Sequence, residues 1–221
     1  MTLQVALVGT DGIVLGSDRK RNTILPDGPT TSSEVSKIIR DDSRGVMACW
    51  SGVEPAIEVA KQVVRLPDNE IQNPTALESL ATRIFADELK RLELIETAPA
   101  AGEVILVVAR DLNTIYHIKV QKRAACWQVL DKVVSGHVAN PAVYFLERFY
   151  QKKMGTGELL PLVAHTILEA GRINPAGIQG LEIVCCSRDG LKPVPEERIS
   201  ELTNLSERVE REIRTLLFTS D

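Results

Sequence analysis

Thr2 stands directly behind the initiator methionine, and a methionine followed by so small a residue is generally trimmed. Trimming leaves a threonine whose hydroxyl and α-amino group belong to one residue, a nucleophile with its base attached. A free α-amine has a pKa near ~8, so an appreciable fraction is neutral at neutral pH and able to take the hydroxyl proton. A base positioned in this way contributes roughly 10² to 10⁴ in rate. One residue retained ahead of the threonine displaces the amine by about 3.8 Å and turns it into a non-basic amide. Processing therefore decides whether the chemistry is available. A threonine at position two is by itself a common feature, and its meaning depends on its company. The charged residues that enter with it are Asp18 and Lys37, which without Thr2 read as an ordinary ion pair at a strand end.

Other chemistries find little support. Cys49, Cys126, Cys185 and Cys186 include an adjacent pair and no metal-ligand spacing, and they read as small buried apolar residues. His117 sits in a strand pattern between Tyr116 and Ile118, His165 lies on a helix, and His137 follows Ser135-Gly136. None has a second ligand type at metal spacing, so no metal is expected. There is no Gly-rich phosphate loop, and no cofactor is expected.

The elements that must position Thr2 begin with a hairpin. Residues 2–9 read as a mostly apolar strand, Thr10-Asp11-Gly12 as a tight turn and Ile13 to Asp18 as the returning strand. Arg19 to Ser36, rich in Pro, Gly, Thr and Ser, is expected to be irregular. Lys37 to Arg40 and Gly45 to Ser51 form a second hairpin around Asp41-Asp42-Ser43. Helical spacing then runs from Val53 to Val64, with Pro55 in the first turn, and again from Asn73-Pro74 through Leu92. Val104 to Ala109 is a continuous apolar strand, turned by Asp111-Leu112-Asn113 into Thr114 to Val120. Cys126 to Leu130 and Lys132 to Ser135 continue the series. Two helices follow, one from Asn140-Pro141 and one over Gly157 to Arg172. A strand over Leu181 to Cys186 closes at Ser187-Arg188-Asp189-Gly190. A last helix spans about Pro195 to Phe218, with Leu202, Val209, Ile213 and Leu216 inward. Strands apolar on both faces, with helices in pairs, predict two packed sheets covered by helices on each side.

With 221 residues, 44% apolar and 25% charged, the chain has an ordinary globular composition, and without linker, repeat or low-complexity segment one domain over 1–221 is expected. A formal charge of −4 and 4% aromatic residues argue against nucleic acid or an anionic membrane as a partner. No apolar run reaches the roughly 18 residues of a membrane span, and the N-terminus lacks the pattern of a signal peptide, so a cytoplasmic location is expected.

Several motifs fall in one order. Thr2, Thr10-Asp11-Gly12 and Ser17-Asp18-Arg19 follow each other with Asp18 sixteen positions after Thr2; Lys37-Ile38, Ser51-Gly52 and Ser135-Gly136 come after them. In these the chain resembles the proteasome β-subunit family of N-terminal-nucleophile hydrolases over nearly its whole length. Short bacterial homologues of the Anbu type, which begin Met-Thr, are the branch it is most similar to. The resemblance implies a four-layer αββα sandwich of two mainly antiparallel sheets and a threonine-type peptidase acting through an acyl-enzyme on Thr2.

It also implies roles. Lys37 as an ammonium near the Thr2 hydroxyl favours the alkoxide, and Asp18 holds that lysine charged and in place. The Gly52 N–H forms the oxyanion hole, and Ser135 hydrogen-bonds the amine and relays its proton. Trp50, with Cys49 beside it, falls where the family places the floor of its main specificity pocket, which implies a preference for small residues before the cut. Its partners are a peptide or unfolded polypeptide as substrate, further copies of the chain in a ring or helical ring, and a separate unfoldase. One position departs from the family pattern. Asn174 stands where an acid that orients the threonine amine is expected, and no serine follows three residues later. An amide accepts a hydrogen bond but carries no charge, so amine basicity shifts. Two other readings remain open: a non-catalytic ring-forming scaffold, and an amidase or transpeptidase that resolves the acyl-enzyme with an amine.

Overall fold

The structure is a computed structural model and describes residues 1–23, 31–92, 100–109 and 114–218. Strands β1 (Leu3–Val8) and β2 (Gly12–Ser17) form the expected hairpin, in the register Gln4↔Ser17 to Val8↔Ile13. Its turn is anchored at a distance: the Asp11 carboxylate accepts from the Thr156 amide at 2.7 Å and the Thr156 hydroxyl at 3.0 Å, capping the helix that starts there.

Residues 19–36, expected to be irregular, contain two short strands, β3 (Lys20–Thr23) and β4 (Thr31–Glu34), paired antiparallel from Lys20↔Glu34 to Thr23↔Thr31. Their residues are polar and β4 is exposed throughout, so no buried face wrote an alternation into the sequence. The second hairpin follows as β5 (Ile38–Asp41) and β6 (Val46–Gly52).

Helix α1 (Pro55–Arg65) begins on its proline. The single turn α2 (Asp68–Ile71) was too short to leave a periodic signal. Helix α3 (Pro74–Arg91) is capped by Asn73, whose side chain accepts from the Thr75 and Ala76 amides. Next come β7 (Gly102–Val108), β8 (Thr114–Val120), β9 (Ala124–Val129) and β10 (Lys132–Gly136); the turn expected at 111–113 lies outside the described residues. Helices α4 (Ala142–Phe149) and α5 (Thr156–Ile173) lead to β11 (Glu182–Ser187), to β12 (Gly190–Pro193), which the sequence reading did not separate from the turn before it, and to α6 (Glu196–Phe218).

Two five-stranded sheets, ordered β10-β1-β2-β11-β12 and β5-β6-β7-β8-β9, are antiparallel at every pairing. Their inward residues meet in one core that includes Ala6, Leu15, Met47, Ile105, Val107 and Val184. The outer face of the β6–β8 sheet packs on α1 and α3, and that of the β1–β2 sheet on α4 and α5. This is the four-layer αββα sandwich, with strands buried on both faces as their unbroken apolar runs required. One expectation fails at the last helix. Leu202 is buried, but Ile213 is 42% and Leu216 83% exposed, because α6 carries its apolar stripe past the edge of the body it packs on.

Candidate active site

The β1–β2 register brings the start of one strand beside the end of the other. Asp18 Oδ1 accepts from the Leu3 amide at 3.0 Å, and the Leu3 carbonyl accepts from the Asp18 amide at 3.2 Å. The second carboxylate oxygen accepts from the Lys20 amide at 3.1 Å and from Lys37 Nζ at 2.8 Å. Lys37 enters from the other sheet, just ahead of β5, and the same Nζ donates to Thr2 Oγ1 at 2.8 Å. Glu182 holds that approach, accepting from the Ser36 hydroxyl at 2.7 Å and the Lys37 amide at 3.1 Å.

The ion pair is out of solvent, with side chains 1% and 0% exposed. Burial pushes the Lys37 ammonium below its ordinary value, opposed by Asp18; burial likewise pushes the Asp18 carboxyl up, opposed by Lys37 and the Leu3 and Lys20 amides. An ammonium held 2.8 Å from a hydroxyl oxygen stabilises negative charge there as the hydroxyl proton leaves.

Thr2 is fixed through its carbonyl, which accepts from the His137 amide at 2.8 Å. Gly136 makes room for that carbonyl: its φ is 84°, and a Cβ there would lie 2.2 Å from the Thr2 oxygen. Gly52, at φ 94°, ends β6 against Ala101, whose carbonyl would lie 2.3 Å from an added Cβ. Both positions exclude any other residue without a backbone shift. Between Gly52 and Gly136 opens a cavity of about 330 Å³ that also exposes Thr2, Gly102, Glu103 and His137.

Ser135 is fully buried, with its hydroxyl 3.1 Å from that of Ser51. Asn174 forms the C-cap of α5 and its amide donates to Met1 Sδ at 3.4 Å, so it stands over the residue ahead of Thr2. Cys49 and Trp50 lie elsewhere. Cys49 is sealed between the sheets, where burial pushes its thiol up to about 12, and Trp50 is buried in the cluster beneath α1 and α3. Neither lines the cavity at Thr2.

The sequence reading missed Glu103 and gave His117 no role. Residues opposite each other in an antiparallel ladder share a face, so the register carries Ser51, Glu103 and Lys119 inward together, as it does Gln4, Ser17 and Ser135. The inter-sheet core thus changes from apolar to polar at the Thr2 end. Glu103 accepts from Lys119 at 3.3 Å and shares a 3.1 Å hydrogen bond with His117 Nε2. Burial alone would raise its carboxyl, but the hydrogen bond with His117, the neighbouring Ser135 and the charge of Lys119 hold it down at about 2. The Gln4 amide, fully buried, has no hydrogen-bond partner among the described residues. A polar residue at an inward strand position was the available signal, but only the strand pairing shows which positions are inward. Among the described residues no His, Cys, Asp or Glu cluster is arranged to hold a metal ion.

No family model matches the chain, and no curated protein does. Solved structures match over its whole length. The Anbu (ancestral beta-subunit) protein from Yersinia bercovieri superposes with a TM-score of 0.77 at 9% identity, covering 100% of this chain and 98% of that one. Anbu from Hyphomicrobium sp. strain MC1 gives 0.68 at 15%, covering 99% of each. The helical assembly of the Anbu complex from Pseudomonas aeruginosa gives 0.74 at 12%, covering 99% and 97%. The fold is that of these proteasome-like N-terminal-nucleophile proteins.

Proposed function

We propose that this chain, built on the Anbu fold, is a threonine peptidase whose nucleophile is Thr2 after removal of Met1. The observation that carries the reading is the single ammonium of Lys37, 2.8 Å from both Thr2 Oγ1 and Asp18 Oδ2. The freed α-amine takes the hydroxyl proton, Oγ1 attacks the substrate carbonyl and Lys37 stabilises the developing alkoxide. The Gly52 N–H supports the tetrahedral oxyanion, a contribution of about 3 kcal/mol in comparable sites. The amine then passes its proton to the leaving amino group, and water, deprotonated by the same amine, releases the acyl group. Ser135 and Asn174 orient the amine.

The chain works as one domain in a homo-oligomeric ring or helical ring in the cytoplasm, on peptides or on polypeptides supplied by an unfoldase. Exposed apolar side chains such as Tyr144, Leu216, Leu217 and Phe218 support self-association. Hydrolysis of fluorogenic peptides by the processed protein tests the reading. Activity is expected to fall to background in Thr2→Ala and by at least ~10² in Lys37→Ala; equal turnover in Thr2→Ala refutes it.

The uncharged Asn174, standing where the family pattern has an acid, favours the alternative of a ring-forming scaffold without catalysis.

A further inference from the structure

The proposed mechanism needs a negative charge to hold the Thr2 ammonium between proton transfers, and position 174 supplies none. Among the described residues the charged groups around Thr2 are few. Asp18 is committed to Lys37 and two backbone amides, and Glu182 to Ser36 and the Lys37 amide. Lys20 Nζ is bound to the Pro175 carbonyl and Gln179. The Cys49 thiol stays protonated. His137 lines the cavity but brings no negative charge.

That leaves Glu103. It shares the cavity with Thr2 and pairs across the strands with Ser51, whose hydroxyl lies 3.1 Å from that of Ser135. Ser135 immediately precedes Gly136 and His137, the two residues that fix the Thr2 carbonyl. On the far side His117 and Lys119 pin both carboxylate oxygens, and Lys119 is half exposed, so its charge is screened more than that of the interior carboxylate.

We propose that Glu103, acting through Ser135, is the positioning carboxylate for the Thr2 α-amine, taking from β7 the place that an acid at position 174 leaves vacant. In this arrangement a Ser135 hydroxyl turned toward Glu103 presents its lone pairs to the ammonium. The negative charge behind it favours the protonated amine. The inference rests on the Thr2 reading, but its measurement does not require turnover.

Competitive acetylation of the Thr2 α-amine across a pH series, read by mass spectrometry on processed protein, gives the amine's titration midpoint. In Glu103→Gln the midpoint is expected to fall by about 1 unit, because an acid's charge is lost beyond one intervening hydroxyl. In Glu103→Gln/Asn174→Asp the added carboxylate is expected to bring it back. A Glu103→Gln midpoint equal to that of the unmodified protein, with thermal melting intact, overturns the proposal. Should Glu103→Gln fail to fold, Ser135→Ala breaks the same link, and an unchanged midpoint there overturns it equally. Absence of peptidase activity in the unmodified protein contradicts the peptidase reading alone and leaves the midpoint comparison standing.

Discussion

Lys37 and Asp18 form a pair that neither residue tolerates losing singly. With both side chains essentially out of solvent, removing Lys37 leaves a carboxylate without its counter-charge, at a cost of about 3–5 kcal/mol. Lys37→Met is therefore expected to lower the melting temperature sharply, and Asp18→Asn/Lys37→Met to recover much of the loss while remaining inactive; thermal denaturation of the two variants beside the unmodified protein checks this. Glu103 gives a pH dependence of definite sign. Its carboxyl is held at about 2 in the fold against 4.5 for an ordinary glutamate, so the folded state binds fewer protons at this site than the unfolded chain. The stability it contributes, up to roughly 3 kcal/mol, is complete above pH 4.5 and is lost as pH falls toward 2. Glu103→Gln is expected to flatten that part of an acid-denaturation curve. Of these residues, Thr2, Asp18 and Lys37 were legible as types at a spacing. Glu103 was not, because it opens an apolar strand and gains meaning only when β6, β7 and β8 are in register.

At the scale of elements, the turns at Gly52 and Gly136 hold the site open from opposite sheets. An alanine at 136 would place its Cβ 2.2 Å from the Thr2 carbonyl at a φ of 84°. Gly136→Ala is expected to cost about 1–3 kcal/mol and to reduce kcat by at least ~10-fold, since Thr2 must move; melting and steady-state kinetics read the two effects. The elements that proved legible carry local punctuation or a buried face. Pro55, Asn73-Pro74 and the Thr10-Asp11-Gly12 turn marked boundaries that the structure keeps to within a few residues. The β3–β4 hairpin was hidden because its residues are polar, and β12 because its four residues run straight on from the Ser187-Arg188-Asp189-Gly190 turn. For α6 the periodicity was real, but helical spacing cannot state where the supporting body stops.

For the whole molecule, the distant Anbu structures share a fold with this chain at 9–15% identity, so the fold persists while most residues differ. The end of α6 leaves Leu216 at 83%, Leu217 at 69% and Phe218 at 77% exposed. Replacing all three by serine is expected to leave the melting of the chain nearly unchanged and to shift sedimentation toward smaller species, as an assembly contact requires. Whether any such assembly is an enzyme turns on one residue being removed. Intact-mass measurement before and after treatment with a peptide epoxyketone reads this directly. A chain lacking Met1 that gains a single adduct on Thr2 is expected. A retained Met1, or a processed chain that takes no adduct, contradicts it.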